Sequence, residues 1–179
     1  MIHGLVIFEV EEQAVHGGSL RIHIAHAQSF HCNHVTPAVA QVLALERATK
    51  LECVSTYSGG QPKVDMFCTD FIQFFVEQRR MGKKIAGYGV AAKGNTLQDY
   101  GGIRPCLLPF VSDITSAKQG KFLSGSHIPA LGEERLRVER PDYIVIFPWM
   151  WKESIIHRLE YTREWNAKFA TVIPKLEII

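Results

Sequence analysis

The chain has 179 residues, of which 46% are hydrophobic and 21% are charged, a composition typical of a globular protein with a sizeable core. Its formal net charge is +2, and the Lys and Arg residues are scattered rather than clustered, so the sequence lacks the basic stripe of a nucleic-acid-binding protein. No apolar run approaches the roughly 20 residues of a membrane span, and no secretory leader begins the sequence. We therefore expect a cytoplasmic protein that binds a small, phosphorylated molecule and neither nucleic acid nor a membrane.

Residues 1–35 predict an antiparallel β-hairpin followed by a linker. Two apolar runs, at residues 5–10 and 19–25, flank Gly17 and Gly18. The second run alternates strictly between apolar and polar residues, which is the pattern of a strand with one apolar face. We place the boundary of the first domain at residue 35 and assign residues 36–179 to the second.

Residues 36–179 predict helices that alternate with strands. Thr36 and Pro37 are a typical N-cap and first helical residue, and they begin a helix that is expected to end near residue 53. An apolar stripe with helical spacing then runs from residue 64 to residue 80 and predicts a long amphipathic helix. Further strands are predicted at residues 85–90, 107–111, 143–147 and 169–173, further helices at 92–100 and 151–165, and an irregular functional loop at 112–141. This order predicts an α/β fold, with a Rossmann-like, mostly parallel sheet flanked by helices and an N-terminal β-hairpin.

Residues 87–96 carry the clearest functional signal. Two glycines end a strand and small residues begin a helix, so a ligand can approach the backbone and meet exposed amides that bind oxygen anions. Lys93 would add a positive charge, and Asn95 or Thr96 would add a hydrogen bond. The spacing is neither GxGxxG nor a Walker sequence, and the alternative interpretation is a tight strand-to-helix turn that packs on the sheet.

Three further positions offer contacts to such a ligand. His127 lies in the irregular loop, which we expect beyond the carboxyl ends of the strands, and it would contact phosphate or sugar or else tie loops together. Lys121 would contact the ligand or lie solvated at the surface. The aromatic pair Trp149 and Trp151 would belong to the core or form a wall for a ring-bearing ligand.

The sequence predicts no metal site. His26, His31, Cys32 and His34 are ligand types suited to zinc, but they are crowded into one short stretch without a second matching half. Acidic residues at positions 9, 11 and 12 are interpreted as a solvated charged edge of the hairpin.

Four segments taken together resemble a known family. They are VHGGSLR at 15–21, GYGVAAKGNTL at 87–97, KQGK at 118–121 with GSHIP at 125–129, and PDYIVIFPW at 141–149. In this order, and across nearly the whole chain, they resemble the C-terminal part of S-adenosylmethionine-dependent sugar C-methyltransferases, which branch deoxysugars carried on thymidine diphosphate. The sequence departs from the family pattern at Ser124, where proline is usual, and at Met150, where asparagine is usual.

The resemblance implies a division of labour within a longer enzyme. In that family a zinc-binding module and a methyl-donor-binding domain precede this region, and residues 1–26 correspond to the last strands of the catalytic domain. The present chain is then expected to bind the nucleotide sugar, to bind no cofactor alone and to lack catalytic residues, with S-adenosylmethionine expected for the full-length enzyme. The expected substrate-binding residues are Gly87, Tyr88, Gly89, Ala92, Lys93, Gly94, Asn95, Thr96, Lys121 and His127.

Two other functions remain open from the sequence. The chain would be an assembly module or split subunit that pairs with a separate catalytic methyltransferase domain, or with a second copy, through the open edge of its hairpin. Alternatively, it would be an independent enzyme that uses the same turn for another nucleotide.

Overall fold

A computed structural model of the chain describes residues 3–15, 18–173 and 175–179. The chain divides into two compact units, Met1–Gln61 and Pro62–Ile179. The predicted boundary after residue 35 separates the hairpin from the first helix, whereas the compact units divide after residue 61.

The first unit contains the predicted β-hairpin. Strand β1 (Leu5–Gln13) pairs antiparallel with β2 (Ser19–His26), and a β-bulge interrupts the register between Ile7 and Glu9. Two residues of the predicted turn, 16 and 17, lie outside the described residues. Helix α1 (Pro37–Ala48) begins with proline after Thr36, as predicted, and packs on β1, but it ends five residues before the predicted position.

Helix α2 (Gly60–Arg80) confirms the long amphipathic helix that the apolar stripe predicts. Its buried face carries the phenylalanines Phe71, Phe74 and Phe75, whose rings meet edge to face. Gly82, at φ +72°, reverses the chain after the helix, a conformation that glycine adopts without steric cost. The chain then enters the sheet.

The second unit contains a seven-stranded sheet, which confirms the predicted α/β class. The strands are β3 (Ile85–Tyr88), β4 (Val111–Ser112), β5 (Lys121–Phe122), β6 (Pro129–Leu131), β7 (Tyr143–Ile146), β8 (Lys168–Thr171) and β9 (Glu177–Ile178), and they lie in the order β5-β6-β4-β3-β7-β8-β9. The five central strands are parallel, and the edge strands β5 and β9 pair antiparallel to them.

Helices α3 (Ala92–Tyr100), α4 (Glu134–Glu139) and α5 (Lys152–Arg158) connect these strands. Short 3-10 segments occur at Phe30–Asn33, Val54–Tyr57, Ser116–Lys118, Trp149–Trp151 and Glu160–Trp165. The predicted helix at 151–165 is therefore a short α-helix between two 3-10 segments. The stretch predicted as an irregular loop contains α4, β5 and β6 as well as turns.

The sheet has a hydrophobic cluster on each face. On one face Phe71 and Phe75 of α2 pack with Val145 and Phe147, and on the other Leu136 and Leu159 pack with the neighbouring strand residues Ile144 and Ile146. Strand β7 is thus buried on both sides, which explains its continuous apolar sequence.

Candidate functional site

The strand order places a switch point between β3 and β7. The chain leaves β3 toward β4 on one side, whereas it leaves β7 toward β8 on the other, so the two connections diverge. In open parallel sheets, ligands bind in the crevice that this divergence opens beyond the carboxyl ends of the strands. Gly89 directly follows β3, and Phe147 and Pro148 follow β7. Residues 87–96, here called the glycine turn, therefore lie at this crevice.

The turn is held by hydrogen bonds to the last residue of β4 and to the residue that follows it. The Gly89 amide donates to the carbonyl of Ser112 over 2.7 Å, and the Val90 amide donates to Oδ2 of Asp113 over 2.7 Å. Gly89 has φ +89°, which a residue with a side chain rarely adopts. These contacts fix the direction in which the chain enters α3.

Three glycines of the turn lie against protein atoms. A Cβ at Gly87 would lie 2.7 Å from Cε2 of Phe147, one at Gly94 would lie 2.6 Å from Cβ of Phe147, and one at Gly89 would overlap the ring of Pro148. Packing alone therefore requires glycine at these positions, as the alternative interpretation of the turn proposes. The surface available to a ligand is then the first turn of α3.

The start of α3 brings several predicted residues together. No side chain caps the helix at Ala91, and the exposed Ala92 begins its first turn. The ammonium group of Lys93 lies 5.7 Å from the centre of the Trp149 ring, within range of a cation–π contact. Asn95 has a buried Oδ1 with no hydrogen-bond partner in the described part of the chain, whereas the Thr96 hydroxyl donates to the carbonyl of Ala92.

The side chain of Tyr88 is engaged inside the protein. Its hydroxyl donates to Oε1 of Glu133 over 2.6 Å, and Arg158 donates to both oxygens of the same carboxylate over 2.8 and 2.7 Å. Burial, together with the bond to Glu133, raises the pKa of Tyr88 above its ordinary value. The Tyr88 hydroxyl is therefore not available to a ligand.

Asp113 is a central residue of the site that sequence reasoning missed. Its side chain is buried and accepts hydrogen bonds from the amides of Val90 and Thr115 and from Nζ of Lys118, at 2.7, 2.8 and 3.2 Å. Burial would raise the pKa of this carboxyl, but the bonds from Thr115, Val90 and Lys118 outweigh that effect and hold the pKa below its ordinary value. Lys118 also donates to the carbonyl of Val90. The ion pair of Asp113 and Lys118 therefore fixes the position of the glycine turn.

The structure does not bring His127 to the turn. The loop that contains it joins β5 to β6, and because β6 is parallel to β4, this loop lies at the amino ends of the parallel strands. The expected position beyond the carboxyl ends is therefore wrong. Lys121 lies exposed on the edge strand β5, opposite Ala130.

A different group from the histidine and cysteine cluster places ligand-type atoms close together. The side chains of Glu9, Glu11 and His23 have potential metal-ligand atoms that all lie within 4.8 Å of one another. Within residues 3–15, 18–173 and 175–179, no other group of three His, Cys, Asp or Glu side chains comes so close. Arg21 forms an ion pair with Glu11 over 2.9 Å, as expected of a solvated charged face.

None of the helices in the described ranges combines the length and hydrophobicity that crossing a membrane requires.

Comparison with known proteins identifies the family. The family profile described as C-methyltransferase C-terminal domain matches residues 14–174. The chain belongs to this family. It is also similar to the C-methyltransferase NovU of Streptomyces niveus, with 33% identity over 99% of this chain and 42% of that relative. The resemblance predicted from the sequence is thus confirmed, and the chain spans about two fifths of the length of this relative.

Proposed function

We propose that the unit Pro62–Ile179 binds a nucleotide sugar linked through thymidine diphosphate, as the substrate-recognition part of a sugar C-methyltransferase. The observation that carries the proposal is the uncapped start of α3 at the switch point of the sheet. Membership of the family and the similarity to NovU support the methyltransferase context.

The start of α3 suits the diphosphate. Amides in the first turn of a helix have no partner within the helix, and the helix dipole favours negative charge there. Lys93 adds a cation at the same end of the helix. Asn95 would add a hydrogen bond to the ligand after its side chain rotates, because its Oδ1 is buried. These groups together offer charge and hydrogen bonds to a phosphorylated ligand.

The same turn is less suited to a methyl donor or dinucleotide than to a diphosphate. Rossmann domains that bind such cofactors use an acidic residue at the end of the second strand to accept hydrogen bonds from the ribose hydroxyls. Asp113 occupies that position after β4, but both of its oxygens already accept bonds from Val90, Thr115 and Lys118. In our proposal S-adenosylmethionine therefore binds a separate catalytic part of the full-length enzyme.

The Lys93→Ala variant is expected to bind thymidine diphosphate with about 1.5 to 3 kcal/mol less free energy than the wild type, because a charged hydrogen bond to phosphate is lost. Isothermal titration calorimetry of both proteins measures this difference. The matched control is Lys168→Ala, since Lys168 is exposed and lies at the amino end of β8, away from the turn. Negligible heats for wild type and Lys93→Ala alike would count against the proposed function.

The hairpin favours a second candidate function, that of an assembly module. One face of the hairpin is apolar, and its members Leu5, Ile7, Leu20, Ile22 and Ile24 are each at least 40% exposed. An exposed aliphatic face on a two-stranded sheet marks a protein interaction site. We propose a catalytic methyltransferase domain as the partner, because this chain corresponds to only 42% of its relative.

An Ile22→Asp variant should lose association with a separately expressed catalytic domain of the family, because burial of a carboxylate without a partner opposes docking. Co-elution in size-exclusion chromatography tests this result. Ser19→Asp is the matched control, since Ser19 lies on the opposite face of β2 from Ile22 and pairs with the uncharged Gln13. Equal co-elution of Ile22→Asp and wild type would contradict the role of the apolar face. A dimer of this chain alone would identify a second copy, rather than a catalytic domain, as the partner that covers this face.

A further inference from the structure

A pocket adjoins the glycine turn on the side of the sheet that α5 covers. It has a volume of about 360 Å³ and opens beyond the carboxyl ends of β3, β4 and β7. Its lining includes Gly89 and Pro148, which also border the crevice at the start of α3, together with Lys118, Trp151, Ser154 and Arg158. A single ligand can therefore reach both the start of α3 and this pocket.

The charged groups around the pocket are already paired. Arg158 donates twice to Glu133, and Lys118 donates to Asp113 and to the carbonyl of Val90. An anionic group in the pocket would have to compete with these partners. The electrostatics of the pocket thus favour an uncharged occupant.

The remaining surface of the pocket suits a flat ring. Trp151 is 57% exposed, and it lines the pocket together with the apolar residues Pro148 and Ile114. Exposed aromatic rings stack on nucleobases, because every base has a π face. The hydroxyl of Ser154 adds a neutral hydrogen-bonding group at the edge.

We infer that this pocket holds the nucleobase of the ligand, stacked on Trp151, while the diphosphate lies at the start of α3. The volume of about 360 Å³ is at the lower end of the range for ligand pockets, so it fits one ring with its substituents and not a whole nucleotide sugar. The inference rests on the proposed function, because it assigns a second part of the same ligand.

The test compares thymidine diphosphate with inorganic pyrophosphate, which carries the same charged group without a base. In calorimetric titrations, Trp151→Ala is expected to weaken thymidine diphosphate binding about tenfold or more, since base stacking on an aromatic side chain has effects of that size. Pyrophosphate affinity is expected to stay at the wild-type value. Trp151→Phe should restore most of the thymidine diphosphate affinity, because phenylalanine also offers an aromatic face.

Trp165→Phe is the control for a general effect of changing a tryptophan. The indole of Trp165 donates to the carbonyl of Pro141, before the amino end of β7 and so at the other end of the sheet. Unchanged thymidine diphosphate affinity in Trp151→Ala overturns the base pocket and leaves the diphosphate site standing. Equal losses for both ligands assign Trp151 a structural role and also overturn it. If neither ligand binds the wild type, the proposed function and this inference both fail.

Discussion

Replacement of Gly89 by alanine should destabilise the second unit by about 3 kcal/mol, because two costs combine at this residue. The backbone has φ +89°, a region in which a side chain is strained. The new Cβ would also overlap the ring of Pro148. Urea denaturation should show a lower midpoint with an unchanged slope, since the surface exposed on unfolding is the same.

Gly120→Ala separates the two costs. Gly120 has φ +74°, but no described atom lies within 4 Å of a Cβ built there. Its substitution therefore tests backbone strain alone, for which about 1 to 2 kcal/mol is expected. If Gly89→Ala is no more destabilising than Gly120→Ala, then close packing on Pro148 does not determine the shape of the turn.

The sequence predicts the elements whose pattern is local. Helix α2 has an apolar stripe at helical spacing, and β7 has a continuous apolar run, so each is visible without knowledge of its neighbours. Strands β5 and β6 have two and three residues, and they exist only because they pair with each other and with β4. Periodicity carries no signal for such short strands.

The predicted helix at 151–165 shows a local competition that periodicity does not detect. The α-helical part ends at Arg158, and the chain continues as a 3-10 segment to Trp165. The buried hydroxyl of Thr162 donates to the carbonyl of Leu159, three residues earlier, over 2.8 Å. A bond of this kind offers the backbone an alternative to the α-helical pattern.

The candidate site likewise contains some residues that the sequence predicts and others that it does not. The glycine turn was predictable because its glycines, small residues and helix start are consecutive in the sequence. Asp113 and Glu133 were not predictable as members of the site. Asp113 lies 23 residues from its partner Val90, and Glu133 lies 45 residues from its partner Tyr88. His127 was misplaced because the antiparallel pairing of β5, which sets the end of the sheet at which its loop lies, has no local signature.

Phe147→Ala is expected to cost about 3 to 5 kcal/mol, the largest effect among the variants considered, because it leaves a cavity in the core. The ring is fully buried and packs between the turn, α3 and the sheet. Chemical denaturation measures the loss, with Phe122→Ala as a matched control because Phe122 is 67% exposed. The control should change stability by no more than about 0.5 kcal/mol. Equal losses for the two variants would contradict the position of Phe147 in the core.

A double-mutant cycle with Gly87 tests whether Phe147 determines the need for glycine in β3. In the wild type, a Cβ at Gly87 would lie 2.7 Å from Cε2 of Phe147 and 2.8 Å from Cγ2 of Val111. Phe147→Ala removes the first of these atoms, so Gly87→Ala should be less destabilising in that background, with a coupling energy of about 1 kcal/mol or more. Strict additivity would mean that Phe147 does not determine the cost of adding a methyl group at position 87. Contact with Val111, rather than with Phe147, would then account for glycine at position 87.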